Sequence, residues 1–255
     1  MSSFIAAVRF LTVVPIGGCT ADDPRAVATS PAFFPLVGLA IGLSLAGIDL
    51  GLIQVLPGGI SAAIVVAAMI AVTGALHLDG LADATDGLFG GKTAERRWEI
   101  MKDPAIGVFG ASAVGAVLLI KWTAISELDS WERFAALAIA PMLGRAAALL
   151  LVRAFPYTDS AGLGSLYERP GVAALWLPFV FAIAVSAIVF GAWAAVIVVP
   201  VAIATYLFGM FAASRLSGKL TGDIYGASSE IGEVVTLIII VGLFQNGAGL
   251  WTFWG

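Results

Sequence analysis

The stretch HLDGLADATDGLFGG at residues 77–91 is the most informative part of this chain. It follows directly on an apolar segment, residues 59–78, that is long enough to cross a bilayer. Asp79, Asp83 and Asp86 stand at positions i, i+4 and i+7, so a helix carries all three carboxylates on one face. Like charges at the end of a membrane helix repel one another and resist desolvation, so the cluster predicts a bound cation. Oxygen-only ligands favour Mg²⁺ or a similar hard ion.

Composition indicates an integral membrane protein. Of the 255 residues, 60% are apolar and 12% are charged, and the mean hydropathy is +1.01. A soluble domain averages about half apolar and a quarter charged residues. The formal net charge of −4 at pH 7 argues against nucleic acid as a partner, because no basic patch is available for a phosphate backbone. The one cysteine, Cys19, cannot form an intrachain disulfide.

Apolar stretches of roughly the 20 residues that a spanning helix needs recur along the chain. They predict seven crossings, at about residues 32–53, 60–78, 107–125, 132–154, 172–190, 193–213 and 231–251. Residues 1–18 are too short to span and predict an amphipathic helix in the membrane interface. The predicted fold is therefore all-α: a polytopic helical bundle of about seven transmembrane helices with an N-terminal interfacial helix, forming a single catalytic domain over residues 1–255.

Positive charges sort to one side of this predicted topology. Most lysines and arginines fall in or beside the segments 1–31, 79–106, 155–171 and 214–230, and only Lys121 and Arg133 lie near the other side. The positive-inside rule then predicts that the long loops face the cytoplasm of a bacterial inner membrane. The Gly-, Asp- and Glu-rich segments share this side, so a single polar site is expected there.

Two polar features accompany the aspartate run. Lys102 and Asp103 precede the helix-breaking Pro104, and a lysine and an aspartate at the mouth of a bundle suit phosphate and metal contact. Arg145 lies inside a predicted span, which costs a few kcal/mol even on the mildest scale. It either pairs with an acid such as Asp49 or clamps an anion through its guanidinium.

The segment SRLSGKLTGDIYGASSEIGE at residues 214–233 adds further charges, including Arg215 and Asp223. Glu230 and Glu233 are spaced i, i+3 at the beginning of the last predicted span, so both can point the same way. They favour a second metal or base position, although acids also favour helix N-termini for dipole reasons alone. Glycines predicted to approach a bound group closely with their backbone are Gly162, Gly164, Gly222 and Gly226.

His77 is the only histidine and lies two residues before the aspartate cluster. It is either a hydrogen-bonded structural residue or a direct participant in the site. Carboxylates with Mg²⁺, together with lysine and arginine, are suited to phosphoryl transfer, because the metal neutralises oxyanions and the cations stabilise a leaving phosphate.

Several motifs, in order along the chain, resemble the cobalamin synthase family, adenosylcobinamide-GDP ribazoletransferase. They are RFLTVVP, FFPLVG, HLDGLADATDGLFGG, MKDPAIGVFG, a GLG turn and LTGDIYGASSEIGE. The resemblance implies a Mg²⁺-dependent integral membrane enzyme with two substrates, a corrinoid nucleotide and an α-ribazole. It would join adenosylcobinamide-GDP to α-ribazole or its 5′-phosphate and release GMP.

Roles for the site residues follow from this resemblance together with the charges. The carboxylates expected to hold Mg²⁺ against the diphosphate are Asp79, Asp83 and Asp86. The candidates for deprotonating the ribazole hydroxyl are Asp103, Asp223 and Glu230. The cations expected to offset charge on the leaving GMP are Lys102, Arg145 and Arg215. The lipid bilayer is the other expected partner, and a homo-oligomer is left open.

Two other interpretations compete with this one. A CDP-alcohol phosphotransferase of phospholipid synthesis also carries an acidic run beginning with Asp-Gly, but with an Ala-Arg soon after it and wider spacing of the later aspartates. Here DGLADATDG is tighter and contains no arginine. A secondary transporter or ion channel also contains glycine-broken spans and intramembrane charges, but its acids lie near the midplane, often within an internal repeat. This sequence shows no convincing repeat.

Overall fold

A computed structural model describes residues 2–16, 24–157 and 172–247, and these residues are helical with short connections. The α-helices are α1 (Ser2–Leu11), α2 (Pro24–Thr29), α3 (Phe34–Leu52), α4 (Gly58–Thr73), α5 (Leu76–Gly90), α6 (Ala94–Met101), α7 (Val108–Ser126), α8 (Ser130–Ala154), α9 (Val172–Phe190), α10 (Ala194–Arg215) and α11 (Gly222–Gln245). Short 3-10 helices cover Ser30–Phe33 and Gly191–Trp193. The described parts of the chain contain no strand.

The expected class, a polytopic helical membrane bundle, is confirmed, but the count of seven crossings is not. Among the described residues, five segments are long and apolar enough to cross a membrane: Arg25–Leu52, Val108–Ser126, Ser130–Ala154, Trp176–Arg215 and Gly222–Gln245. Helices α4 and α5 add a sixth if this bent pair is one span. The count also depends on the segment that contains both α9 and α10, which the 3-10 helix at Gly191–Trp193 separates.

Helix α5 lies across one end of the bundle. It is bent by 88° from α4, and Gly74 and Ala75 at the break both have φ near +59°. It contacts the beginnings of two spans: Asp86 binds the backbone before and within the first turn of α7, and Gly80 packs against Asp223 at the beginning of α11. Gly87 also packs against Met101 of α6. The acidic helix therefore lies across the bundle end and is not part of the five single segments that are long and apolar enough to span.

Helix α8 is the centre of the bundle, because most of its residues are buried. Small residues let two neighbouring helices approach it closely. A Cβ atom added to Gly38 of α3 would lie 2.5 Å from the carbonyl oxygen of Pro141, and one added to Gly232 of α11 would lie 3.1 Å from the Cα of Gly144. Van der Waals packing of this kind replaces the hydrophobic effect as the force that holds helices together in lipid.

An ion pair closes the end of the bundle opposite to α5. The Arg133 Nε atom lies 3.0 Å from an Asp49 carboxylate oxygen, and Ser61 donates a hydrogen bond of 2.6 Å to the same carboxylate. Arg133 also donates to the carbonyl of Gly58. Asp49 is therefore the partner of Arg133, and not of Arg145.

The contact at Gly38 predicts a position-specific loss of stability. We expect Gly38→Ala to lower the free energy of unfolding by about 1–3 kcal/mol, because the new methyl group meets the α8 backbone. The matched control is Gly47→Ala on the same helix, where a Cβ meets nothing within 4 Å and alanine favours the helix. Thermal unfolding of both purified variants in detergent measures the difference, and equal midpoints would refute the predicted packing.

Candidate functional site

Two sets of charged side chains lie close to α5, one at the bundle end that it covers and one deeper inside the bundle. The acidic cluster consists of Asp79 and Asp83 on α5 and Asp223 on α11. The buried ion network consists of Lys121 on α7, Arg145 on α8, and Glu230 and Glu233 on α11. The two sets differ in exposure and in charge balance, and this difference separates their roles.

The acidic cluster forms because α5 and α11 cross at glycines. A Cβ atom on Gly80 would lie 3.0 Å from the Asp223 carbonyl oxygen, and one on Gly226 would lie 3.4 Å from the Gly80 Cα. This close approach brings Asp223 to the cavity that Asp79 also lines. The spacing of the two α5 aspartates follows the predicted i, i+4 pattern on a helix.

Negative charge accumulates in this cluster. Burial, followed by the charges of Asp79 and Asp223, raises the pKa of Asp83 to about 6. Within the described residues, no lysine, arginine or histidine forms an ion pair with any of the three carboxylates. An oxygen-only donor set without a cationic partner has the chemistry that suits Mg²⁺.

Asp86, the third aspartate of the run, has different partners. Its carboxylate accepts hydrogen bonds from the Gly107 N–H at 2.6 Å and the Gly110 N–H at 2.9 Å. These are donors at the beginning of α7 that have no partner within the helix, so the carboxylate caps that helix and also complements its dipole. Asp86 thereby fastens α5 to α7.

The buried ion network is neutral as a group. The Lys121 Nζ atom lies 2.7 Å from a Glu230 oxygen and 2.5 Å from a Glu233 oxygen. Arg145 donates to the other Glu233 oxygen. Two cations thus balance two carboxylates among side chains that are almost fully buried. Because isolated buried charges are costly, this pairing is what permits four ionisable groups inside an apolar bundle.

The sequence did not predict that Lys121 lies beside the candidate site. Its position in the predicted topology placed it near the membrane side opposite to the polar segments. The side chain instead lies inside the bundle, 1% exposed, and also contacts the Met69 sulfur. The available signal was a lysine within an apolar span, the same signal that identified Arg145. An ionisable residue in a span normally faces the bundle interior.

His77 adjoins the ion network. Single ligand atoms of His77, Glu230 and Glu233 lie within 4.8 Å of one another, as a metal site requires. Both glutamates already bind cations, so a divalent ion there would add uncompensated positive charge. The His77 side chain is buried, and its Nδ1 atom has no hydrogen-bond partner among the described residues.

Two cavities meet at Asp223. The first, of about 340 Å³, contains Asp79, His77 and Arg145 in its lining along with many apolar side chains. The second, of about 420 Å³, is more polar and is lined by Trp98, Met101, Lys102, Tyr157, Thr221, Gly222 and Asp223. Both linings include Tyr157, Gly222 and Asp223. Hereafter these are called the first and second cavities.

The structure brings some of the other predicted site residues to these cavities and leaves others apart. Lys102 lines the second cavity, and Gly222 and Gly226 line the first. Asp103 is exposed and lines neither; one of its oxygens accepts the Ala105 N–H. Gly162 and Gly164 lie outside the described residues.

Arg215 stands at the end of α10. Its guanidinium lies over the Phe211 ring, 5.1 Å from the centroid. Its carbonyl oxygen accepts a hydrogen bond from Arg97 of α6, which joins the two helices. The Arg215 side chain lines neither of the two cavities.

Comparisons with known proteins all point to one family. The model of the family described as cobalamin-5-phosphate synthase matches residues 3–241. An adenosylcobinamide-GDP ribazoletransferase of Desulforamulus reducens is 34% identical over 94% of this chain and 96% of its own length. Proteins with the same name from Roseiflexus sp. (37% identical, 91% of this chain, 86% of its own) and Pseudomonas putida (36%, 95% and 98%) are also similar. No solved structure matches the chain.

The neutral ion network predicts a compensation experiment. Lys121→Met leaves two glutamates against one arginine, and we expect a loss of about 3–5 kcal/mol of unfolding free energy. Adding Glu230→Gln restores charge balance and should recover a large part of that loss. Detergent thermal unfolding measures both variants against Lys92→Met, an exposed control. A double variant no more stable than Lys121→Met would contradict the proposed charge balance.

The raised pKa of Asp83 predicts how stability depends on pH without divalent cations. Because its pKa lies above the unfolded value of 3.8, the ionised form is disfavoured in the folded protein. This group should therefore lower the stability as pH rises from about 4 to about 6, with no further change above that range. Asp83→Asn should remove this component, and Mg²⁺ should raise the wild-type Tm at pH 7.5 more than that of the variant.

The control for this titration is Asp103→Asn, which changes an exposed carboxylate outside the acidic cluster. It should keep the wild-type dependence on pH and on Mg²⁺. If Asp83→Asn kept them as well, the crowding of charge around Asp83 would be refuted.

Proposed function

Because this chain belongs to the cobalamin-5-phosphate synthase family and is a transferase of cobalamin synthesis, we propose that it joins adenosylcobinamide-GDP to α-ribazole or its 5′-phosphate and releases GMP. The observation that carries this proposal is the meeting of two cavities at Asp223. A transfer between two substrates requires both to reach one reacting centre, and adjoining cavities with a shared carboxylate provide that arrangement.

The proposed step exchanges one phosphate ester for another. A ribose hydroxyl of the acceptor attacks the phosphorus that carries the corrinoid side chain, and a new P–O bond forms. The pyrophosphate bond to the guanosine phosphate breaks, and GMP leaves with the bonding electron pair. The hydroxyl proton passes to Asp223, the carboxylate common to both cavities.

Asp79 and Asp83 would hold Mg²⁺, which when bound neutralises the oxyanions of the diphosphate. One or two carboxylates together with substrate phosphates are the usual environment of this ion. The sequence also predicted Asp86 and Glu233 as Mg²⁺ ligands. Their oxygens bind α7 backbone donors and the Lys121–Arg145 pair, so the proposal narrows to the first two aspartates.

Lys102 is the cation proposed to offset charge on the leaving GMP, because it lines the second cavity beside Asp223. Arg145 is engaged with Glu233 and Arg215 lies over Phe211, so neither is assigned that role. Glu230 is likewise assigned to the ion network rather than to proton transfer.

We further propose that the site faces the cytoplasm of a bacterial inner membrane. Support comes from the positive charges at the α5 end of the bundle, since Lys92, Arg96 and Lys102 all lie on or beside α6 next to the site. Positive residues mark the cytoplasmic side of membrane proteins. Family membership does not favour the CDP-alcohol phosphotransferase or the transporter interpretation.

The assay that tests this function measures GMP release by the purified protein from the activated corrinoid and α-ribazole. We expect Asp223→Asn to lower kcat by about a hundredfold or more, as loss of a general base does. Asp103→Asn is the matched control and should retain near-normal turnover, because its carboxylate lines neither cavity. Turnover should require Mg²⁺ and no ion gradient.

Three outcomes separate the parts of this proposal. No GMP release by the wild-type protein with either acceptor would refute the activity. Full turnover of Asp223→Asn together with loss in Asp103→Asn would move the base to Asp103. Undiminished turnover in a chelator would remove the role assigned to Asp79 and Asp83.

A further inference from the structure

We propose that the first cavity binds the acceptor through its heteroaromatic base and that His77 recognises a ring nitrogen of that base. The inference rests on the transferase function proposed above and divides the two substrates between the two cavities. α-Ribazole carries a dimethylbenzimidazole: a flat, apolar, bicyclic base with one ring nitrogen free to accept a hydrogen bond. The walls, the volume and the polar group of the first cavity each match one of these properties.

The walls of the first cavity are predominantly apolar. They combine side chains from α1, α3, α5 and α8 with two tyrosines, and the apolar members are Phe10, Leu11, Phe34, Leu76, Leu149 and Val152. Burial of an uncharged arene against such a surface is favourable, whereas these apolar walls would desolvate a diphosphate without compensating its charge. The charged diphosphate of the corrinoid nucleotide therefore belongs at Asp223, where the two cavities meet, with Lys102 beside it in the second cavity.

The volume gives the same assignment. At about 340 Å³ the first cavity lies near the lower end of the range of roughly 300–1,000 Å³ that small-molecule sites occupy. A nucleoside falls within that size class, while a corrinoid macrocycle with its side chains exceeds it. The corrinoid must therefore remain outside the first cavity, with its phosphates directed towards Asp223.

His77 supplies the polar contact. Its side chain is only 7% exposed, it lines the first cavity, and its Nδ1 atom has no hydrogen-bond partner among the described residues. A buried polar atom without a partner is costly, and rotation of the imidazole towards the cavity would let a ring nitrogen of the ligand satisfy it. The second cavity does not include His77, whereas Asp223 is common to both. When His77 binds the heteroaromatic base of the acceptor, the ribose of the acceptor can therefore reach Asp223, the carboxylate common to both cavities.

The first experiment reduces the volume of the first cavity. Ala148→Leu adds bulk to its wall, and we expect at least a tenfold rise in KM for α-ribazole with KM for the corrinoid nucleotide changed less than twofold. Ala68→Leu is the matched control, since this half-buried alanine lines a separate apolar groove formed with α1 and α3. It should leave both constants unchanged.

The second experiment isolates the hydrogen bond. His77→Leu should raise KM for α-ribazole about ten- to a hundredfold with kcat less affected, while His77→Gln, which keeps a donor, should lose less. The probe is the indole analogue of α-ribazole, in which a C–H replaces the free ring nitrogen. In His77→Leu, the KM for the indole analogue should equal the KM for α-ribazole. The KM for the indole analogue should also be the same in His77→Leu as in the wild-type protein.

The outcomes distinguish this inference from the function on which it rests. If the wild-type protein transfers α-ribazole but Ala148→Leu raises KM only for the corrinoid nucleotide, the division of the cavities is wrong. If His77→Leu weakens the indole analogue as much as α-ribazole, the residue has a structural role and the recognition is refuted. If the wild-type protein transfers neither acceptor, the transferase proposal itself fails.

Discussion

The requirement that buried charge be neutralised inside an apolar bundle governs the arrangement of this site. Lys121 and Arg145 are each 1% exposed, and they are tolerated because Glu230 and Glu233 lie beside them. The four groups join α7, α8 and α11 at a single depth. Asp223 lies seven residues before Glu230, which is about two turns along the same face of α11. Fixing the glutamates therefore also fixes the position of the carboxylate at which the two cavities meet.

Depth separates the glutamates of the ion network from the acidic cluster, although Asp223 of that cluster lies on the same helix, α11, as the glutamates. The glutamates of α11 are enclosed and paired with cations, so they are engaged before any ligand arrives. The acidic cluster at the bundle end has no such partners among the described residues, and burial, followed by repulsion within the cluster, raises the pKa of Asp83. Carboxylates that the described residues leave without a cationic partner are available to a metal or a substrate. Carboxylates thus stabilise the structure inside the bundle and form the proposed reactive site at its end.

Local pattern was sufficient for the helical class, for the placing of Asp79 and Asp83 on one helix, and for the family. It was not sufficient for partners that only tertiary packing creates. The i, i+7 spacing cannot distinguish Asp86, which caps α7, from a carboxylate left without partners. The bend of 88° after α4 and the partner of Arg145 depend on contacts between helices far apart in sequence. A lysine within an apolar run reveals burial but not the identity of its partner.

The locked state of the ion network also bears on what kind of membrane protein this architecture can support. A transporter that uses intramembrane carboxylates must release their counter-ions in each cycle and expose them to an ion from either side. Here Glu233 of α11 pairs with both Lys121 of α7 and Arg145 of α8, and Glu230 pairs with Lys121. The ion pairs therefore join three helices. Freeing Glu233 would require both of its ion pairs to break, and α8, which supplies one of them, packs closely against α11 at Gly144 and Gly232. A bundle whose acids without a cationic partner, among the described residues, lie at one end suits chemistry at a membrane surface better than passage through it.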